Sequence, residues 1–117
     1  MPRRILIAED EDMPRKLLTS IAIKLGYDAV AVSNGFDLLT IAGTQKFDVI
    51  ITDLMMKDLN GVSASEILKL QGNSTPVIAL TALSPEEISH MRNSFTKVYH
   101  KPCDINELFK YIETLIK

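Results

Sequence analysis

Five polar side chains stand at the ends of short apolar runs in this chain: Glu9 and Asp10 after RILIA, Asp53 after VIIT, Thr81 after VIAL, and Lys101 after KVYH. If those runs are strands, three acids, a hydroxyl and an amine from four strand ends meet on one edge. Three close carboxylates repel one another strongly unless a cation sits among them. A few hard oxygen ligands, with room left for water and phosphate oxygens, favour Mg²⁺ over a dedicated Ca²⁺ cage. Lys101 adds a fixed positive charge. A carboxylate beside a metal and an ammonium can act as nucleophile toward a phosphoryl donor. The metal and the ammonium would then stabilise charge on the phosphoryl oxygens. Thr81 can donate a hydrogen bond to one of those oxygens.

The elements that must position these groups are legible in the spacing. Residues 4–9 read as a buried parallel strand, and Asp12 as the cap of a helix with Pro14 in its first turn. Leu17, Leu18, Ile21, Ala22 and Leu25 recur at helical spacing until Gly26. Residues 29–32 form a second strand, 36–42 a second helix ended by Gly43, and 47–52 a third strand that is almost wholly apolar. The turn at Asn60-Gly61 leads to a helix over 63–70, and 76–80 is the fourth strand. Ser84-Pro85-Glu86-Glu87 is a capping box that starts a fourth helix. Residues 97–100 make a short fifth strand, and Asp104 to Glu107 opens the last helix, with Leu108, Phe109, Ile112, Leu115 and Ile116 as its stripe. Regular strand–helix alternation implies an α/β fold with a parallel sheet, right-handed crossovers and helices on both faces. In such sheets the site lies beyond the carboxyl ends of the strands, where the five polar groups stand.

Bulk composition narrows the function classes. The 117 residues suit one domain, 1–117, and 46% apolar content can fill a core. A net charge of −2, from 13 basic and 15 acidic residues, argues against nucleic-acid or membrane-surface binding, which would show a basic excess. No apolar run is long enough to span a bilayer. The single cysteine, Cys103, permits no internal disulfide, so the expected home is the cytoplasm.

The segments ILIAED, ITDLMMKDLNG, VIALTA and Lys101-Pro102, in order and each at a strand end, resemble the receiver domain of two-component response regulators over essentially the whole chain. That resemblance implies a doubly wound five-stranded fold of flavodoxin-like order, 2-1-3-4-5. It implies that Asp53 accepts the phosphoryl group as an acyl phosphate. Mg²⁺ would be held by Glu9, Asp10, Asp53 and the backbone carbonyl of Met55, with Thr81 and Lys101 as the family's hydroxyl and lysine. The expected partners are a sensor histidine kinase or histidine phosphotransfer protein, and a downstream protein or fused output domain. The expected role is a signalling switch that catalyses only its own phosphorylation and dephosphorylation, through the surface of the fourth helix, fifth strand and fifth helix.

The chain departs from the family pattern at four positions. Glu9 stands where many members carry aspartate, and one more methylene is compatible with metal binding. Lys57 replaces the usual proline, and reads as a solvated loop lysine. Asn60 replaces an aspartate and should keep its turn. Val98 stands three residues before Lys101, where the family usually has tyrosine or phenylalanine. Tyr99, one residue on, points to the opposite face and cannot take over. The expected output change is therefore weaker or differently wired.

Three further groups have ordinary readings. Met55 and Met56 are loop and core filler. His90 and His100 lack ligand spacing and read as surface or boundary residues. Cys103 reads as a small, partly buried side chain, with its pKa lowered somewhat by the nearby lysine. Two other functions compete with the phosphoacceptor: a degenerate receiver serving as a phosphorylation-independent interaction module, and a small Mg²⁺-dependent phosphatase or nucleotide-binding enzyme. Against the enzyme, no Gly-rich phosphate loop follows the first strand and no second acid follows Asp53 at two residues.

Overall fold

In a computed structural model that describes residues 2–116, five parallel strands alternate with helices. The end residues of the expected 1–117 domain, Met1 and Lys117, lie outside the described residues. The strands are β1 (Arg4–Ala8), β2 (Asp28–Val32), β3 (Val49–Asp53), β4 (Val77–Thr81) and β5 (Lys97–His100). Their order in the sheet is β2-β1-β3-β4-β5, the doubly wound order expected. β3 and β4 are buried at every residue, as central strands covered on both faces must be.

Strand alternation splits the core in two. Leu6, Ala8, Ile50, Ala79 and Val98 face one layer, which holds Leu38 and Ala42 of α2 (Gly35–Thr44), Ala64 and Leu68 of α3 (Gly61–Leu70) and Ile88 of α4 (Pro85–Ile88). Ile5, Ile7, Val49, Ile51, Ile78 and Leu80 face the other, against Leu18 and Ala22 of α1 (Asp12–Lys24) and Leu108, Phe109 and Ile112 of α5 (Ile105–Leu115). Each fully buried aliphatic side chain contributes about 1.5–3 kcal/mol to folding. Those contributions fix the register, because a one-residue slip would turn a strand's whole apolar set to the wrong layer.

Several helix ends follow their local chemistry. Ser84 and Glu87 form the reciprocal capping box, with Glu87 N–H to Ser84 Oγ at 3.2 Å and Ser84 N–H to Glu87 Oε1 at 3.0 Å. Asn60 caps α3 by accepting from Ser63 N–H at 2.9 Å, so the turn is kept. Asp104 caps α5 through Asn106 N–H. Gly26 takes φ +94°, the left-handed conformation in which glycine follows a helix end.

Two expected ends are corrected. Asp12 is the first residue of α1 rather than its cap; Glu11 is the cap residue and makes no side-chain capping bond. Asp12 instead pairs with Arg15. Gly43 does not stop α2, which runs to Thr44. A Cβ at Gly43 would meet nothing within 4 Å, so nothing about its surroundings demands a glycine, and the Gln45 N–H to Ile41 carbonyl bond closes the helix beyond it.

Gly61 positions the site directly. A Cβ there would collide with the Asp53 carbonyl oxygen and crowd Thr52 Oγ1 at 3.0 Å and Leu54 Cα at 3.2 Å. The start of α3 thus lies against the last residue of β3. Gly61→Ala should destabilise the protein by about 1–3 kcal/mol through this overpacking, read as a fall in the urea midpoint at unchanged slope.

Candidate phosphoacceptor and metal site

The sheet order delivers the five polar groups to one edge. β1 and β3 are neighbours, and Glu9 and Asp10 follow β1 directly while Asp53 ends β3. β4 lies beside β3 with Leu80 opposite Asp53, so Thr81 stands one residue further along. β5 closes the edge; the Lys101 N–H donates to the Thr81 carbonyl at 2.7 Å, continuing the ladder one step past the strand.

Lys101 Nζ is the centre of the arrangement. It donates to Glu9 Oε1 at 2.9 Å and to Asp53 Oδ2 at 2.8 Å. Both acceptors are deeply buried, Glu9 at 1% and Asp53 at 5% exposure, and Thr81 is fully buried. The remaining carboxylate oxygens are also engaged. Glu9 Oε2 accepts from Glu11 N–H at 3.2 Å, and Asp53 Oδ1 accepts from Met55 N–H at 3.0 Å. Thr52 Oγ1 donates to the Asp53 carbonyl at 2.9 Å, fixing the backbone at that residue.

The electrostatics follow from these contacts. Burial disfavours the charged form of Glu9 and raises its pKa, outweighing the hydrogen bonds from Lys101 and Glu11. Burial alone would lower Lys101, but hydrogen bonds and charges from Asp53 and Glu9 reverse this and push it up to about 12. Carboxylate oxygens of Glu9, Asp10 and Asp53 lie within 4.8 Å of one another, a group able to hold a metal ion. Three carboxylates against one ammonium leave two negative charges, the deficit that a divalent cation fills. The donor set is all oxygen, and Asp10 is only half-buried, so solvent keeps access on that side.

Other expected residues sit as follows. The Met55 peptide lies against the Asp53 carboxylate through its N–H, while its side chain is exposed. Lys57 and His90 are exposed. Cys103 is partly buried, but the expected lowering of its pKa is corrected: burial raises the thiol and outweighs the pull of Lys101. Val98 packs in the layer of α2, α3 and α4, and Tyr99 in the opposite one, as strand parity requires.

Two contributors escaped the sequence reading. Arg15 Nη1 donates to the Glu9 carbonyl at 3.0 Å and the Asp10 carbonyl at 3.4 Å, clamping the loop that carries both acids. His100 Nδ1 lies 2.9 Å from the Leu83 carbonyl. Both bonds end on main-chain carbonyls, which have no signature in side-chain spacing.

Comparison with known proteins decides the family. Residues 5–113 match the model of the response regulator receiver domain. The chain belongs to that family. It is similar to the transcriptional regulatory protein PcoR of Escherichia coli, 32% identical over 98% of this chain and 52% of that protein. The chain thus spans about half the length of that curated relative. Among solved structures it resembles a Francisella response regulator receiver domain, at 31% identity and TM-score 0.92, over 97% of this chain and 96% of that one. It also resembles the receiver domain of a sensor histidine kinase from Pseudomonas aeruginosa PAO1, at 26% identity and TM-score 0.90, over 99% and 98%. That structure has a magnesium ion coordinated in its active-site cleft. A receiver domain serves as a phosphorylation switch rather than as an enzyme with a separate substrate.

The ion pairs predict a stability profile. Lys101, raised in the folded state, contributes stability that is complete below its ordinary value of 10.5 and is lost as pH rises through about 12. Glu9, also raised, contributes stability present below 4.5 and lost as it ionises above that value. Lys101→Met should therefore lose ~3 kcal/mol at pH 7 without divalent cation, because two buried carboxylates are left unpaired. Denaturant titrations from pH 7 to 12 should show a steeper alkaline decline in the parent than in the variant.

Proposed function

We propose that Asp53 is the phosphoacceptor of this receiver domain and that Glu9, Asp10, Asp53 and the Met55 carbonyl hold Mg²⁺. The observation that carries this reading is Lys101 Nζ bridging Asp53 and Glu9 at 2.8 and 2.9 Å, beside a third carboxylate. The magnesium coordinated in the related kinase receiver supports the choice of metal.

An Asp53 carboxylate oxygen attacks the phosphorus of a phosphohistidine. The P–N bond breaks, its electron pair returns to the imidazole, and an acyl phosphate forms on Asp53. The bound metal supplies charge neutralisation for the phosphoryl oxygens. Lys101 Nζ gives two of its three ammonium hydrogens to Glu9 and Asp53, which leaves one for a phosphoryl oxygen. It remains protonated throughout, since its pKa lies far above neutrality. Thr81 Oγ1 accepts the Leu83 N–H at 3.0 Å, which leaves its own proton to donate to a phosphoryl oxygen. Hydrolysis by water regenerates the carboxylate and releases phosphate.

The donor is a sensor histidine kinase or a histidine phosphotransfer protein. The signal passes to a downstream protein or fused output domain through the surface of α4, β5 and α5. Among the described residues no helix is long and apolar enough to cross a membrane. We assign the domain to the cytoplasm, with neither nucleic acid nor membrane as a direct partner.

Acetyl phosphate tests the chemistry. Intact-mass measurement should show one added phosphoryl group that requires Mg²⁺ and disappears in Asp53→Asn. Titrating Mg²⁺ into the unphosphorylated protein to ten times its dissociation constant should add about 1.4 kcal/mol of stability, and Asp10→Asn should diminish that gain. A protein modified equally well without Mg²⁺, or at a residue other than Asp53, would overturn the assignment.

A further inference from the structure

The hydroxyl of Thr81 is held by a short relay that ends on strand β5. Thr81 Oγ1 accepts the Leu83 N–H at 3.0 Å. The Leu83 carbonyl lies 2.9 Å from His100 Nδ1. A carbonyl can only accept, so Nδ1 carries the hydrogen and donates. A single peptide residue thus separates the imidazole from the hydroxyl, and both ends are tied to the sheet, where Thr81 pairs with His100 across β4 and β5.

Neither neighbour of His100 can do the same. Val98 shares its face of the strand but has no polar atom, and is buried among the side chains of the α2, α3 and α4 layer. Tyr99 faces the other layer and packs edge-on to Tyr111 with centroids 6.4 Å apart. His100 is therefore the polar side chain of β5 on the face that holds the β4–α4 turn. The ring is fixed on one side only, since Nε2 is buried with no hydrogen-bond partner. Leu83 itself packs into the same layer as Ile88 of α4, and Ser84, the next residue, caps that helix. Any shift of the turn that moves the Thr81 hydroxyl must stretch or break the His100 bond and displace the start of α4.

We propose that His100 is a positioning residue for phosphoryl transfer to Asp53. Through Leu83 it aims the Thr81 hydroxyl, and it couples that aim to the α4 surface. This inference rests on the phosphoacceptor reading of Asp53.

A double-mutant cycle on phosphorylation by acetyl phosphate with Mg²⁺ tests it. His100→Ala should slow the reaction about two- to tenfold, the range expected for loss of one hydrogen bond. His100→Asn, whose amide nitrogen can still donate to the Leu83 carbonyl, should recover most of the rate. In a Thr81→Ala background His100→Ala should have no further effect, because the group it aims is gone. In the parent protein, addition of Mg²⁺ and beryllofluoride should shift the His100 ring nitrogens and the Leu83 amide in ¹⁵N spectra together with the Asp53 and Met55 amides. Equal slowing by His100→Ala with and without Thr81 would overturn the proposal, and so would ring nitrogens indifferent to beryllofluoride while the Asp53 and Met55 amides respond. A parent protein that takes up no phosphoryl group, and whose Asp53 and Met55 amides ignore beryllofluoride, would instead refute the phosphoacceptor reading, and the positioning role would fall with it.

Discussion

Everything at the functional edge depends on one ammonium group placed between two buried carboxylates. Glu9 and Asp53 come from adjacent strands and are almost sealed from water. Their repulsion in that setting would be severe without Lys101 Nζ on both. Lys101 arrives from the far edge of the sheet, two strands beyond Asp53. The bridge therefore forms only if β3, β4 and β5 hold their registers together. Those registers are enforced by apolar side chains such as Ile51, Ile78 and Leu80, which lie in one layer and can be exchanged for the other layer's set only at great loss. The chemistry is thus secured by residues that take no part in it.

The bridge also explains why the site is suited to a divalent ion and a phosphoryl group. One lysine cannot neutralise three acids, and burial leaves Glu9 reluctant to ionise. With all three acids ionised, they exceed Lys101 by two negative charges. A divalent cation held there would restore balance, and an incoming phosphoryl group, itself anionic, would then meet two positive centres. Lys101 is raised rather than lowered by its surroundings, so its role is that of a permanent charge and not of a proton donor near neutral pH.

Most of this was legible in the sequence because strand ends are sharply marked there. An apolar run that stops at an acid, a threonine or a lysine identifies both the strand and the residue beyond it. The capping box at Ser84 to Glu87 was equally readable, since its two bonds involve side chains three residues apart. What it could not reveal was how soon α4 ends. The helix gives way after one turn to a 3₁₀ segment over Arg92–Ser94. Ser89 Oγ donates back to the Glu86 carbonyl at 3.0 Å, the local bonding by which serine competes with helical structure. Gly43 misled in the opposite direction, because an exposed glycine weakens a helix without ending it. Arg15 and His100 were missed because their partners are carbonyl oxygens, which every residue has.

Apart from Glu9, which keeps its carboxylate, the departures from the family pattern fall on the loops around the site and on β5. Lys57 is solvated and touches none of them, and Asn60 does the capping work expected of its position. Replacing an aromatic by Val98 removes volume and any polar atom from one level of the strand, yet parity leaves residue 100 on the same face two positions nearer the site. A polar side chain there meets the β4–α4 turn at Leu83, whose amide already touches the Thr81 hydroxyl. The acids and the lysine occupy the strand ends, whereas this contact belongs to the turn beyond β4. The two can therefore vary separately: the charge arrangement fixes which reaction is possible, and the side chains of β5 fix how its outcome reaches α4.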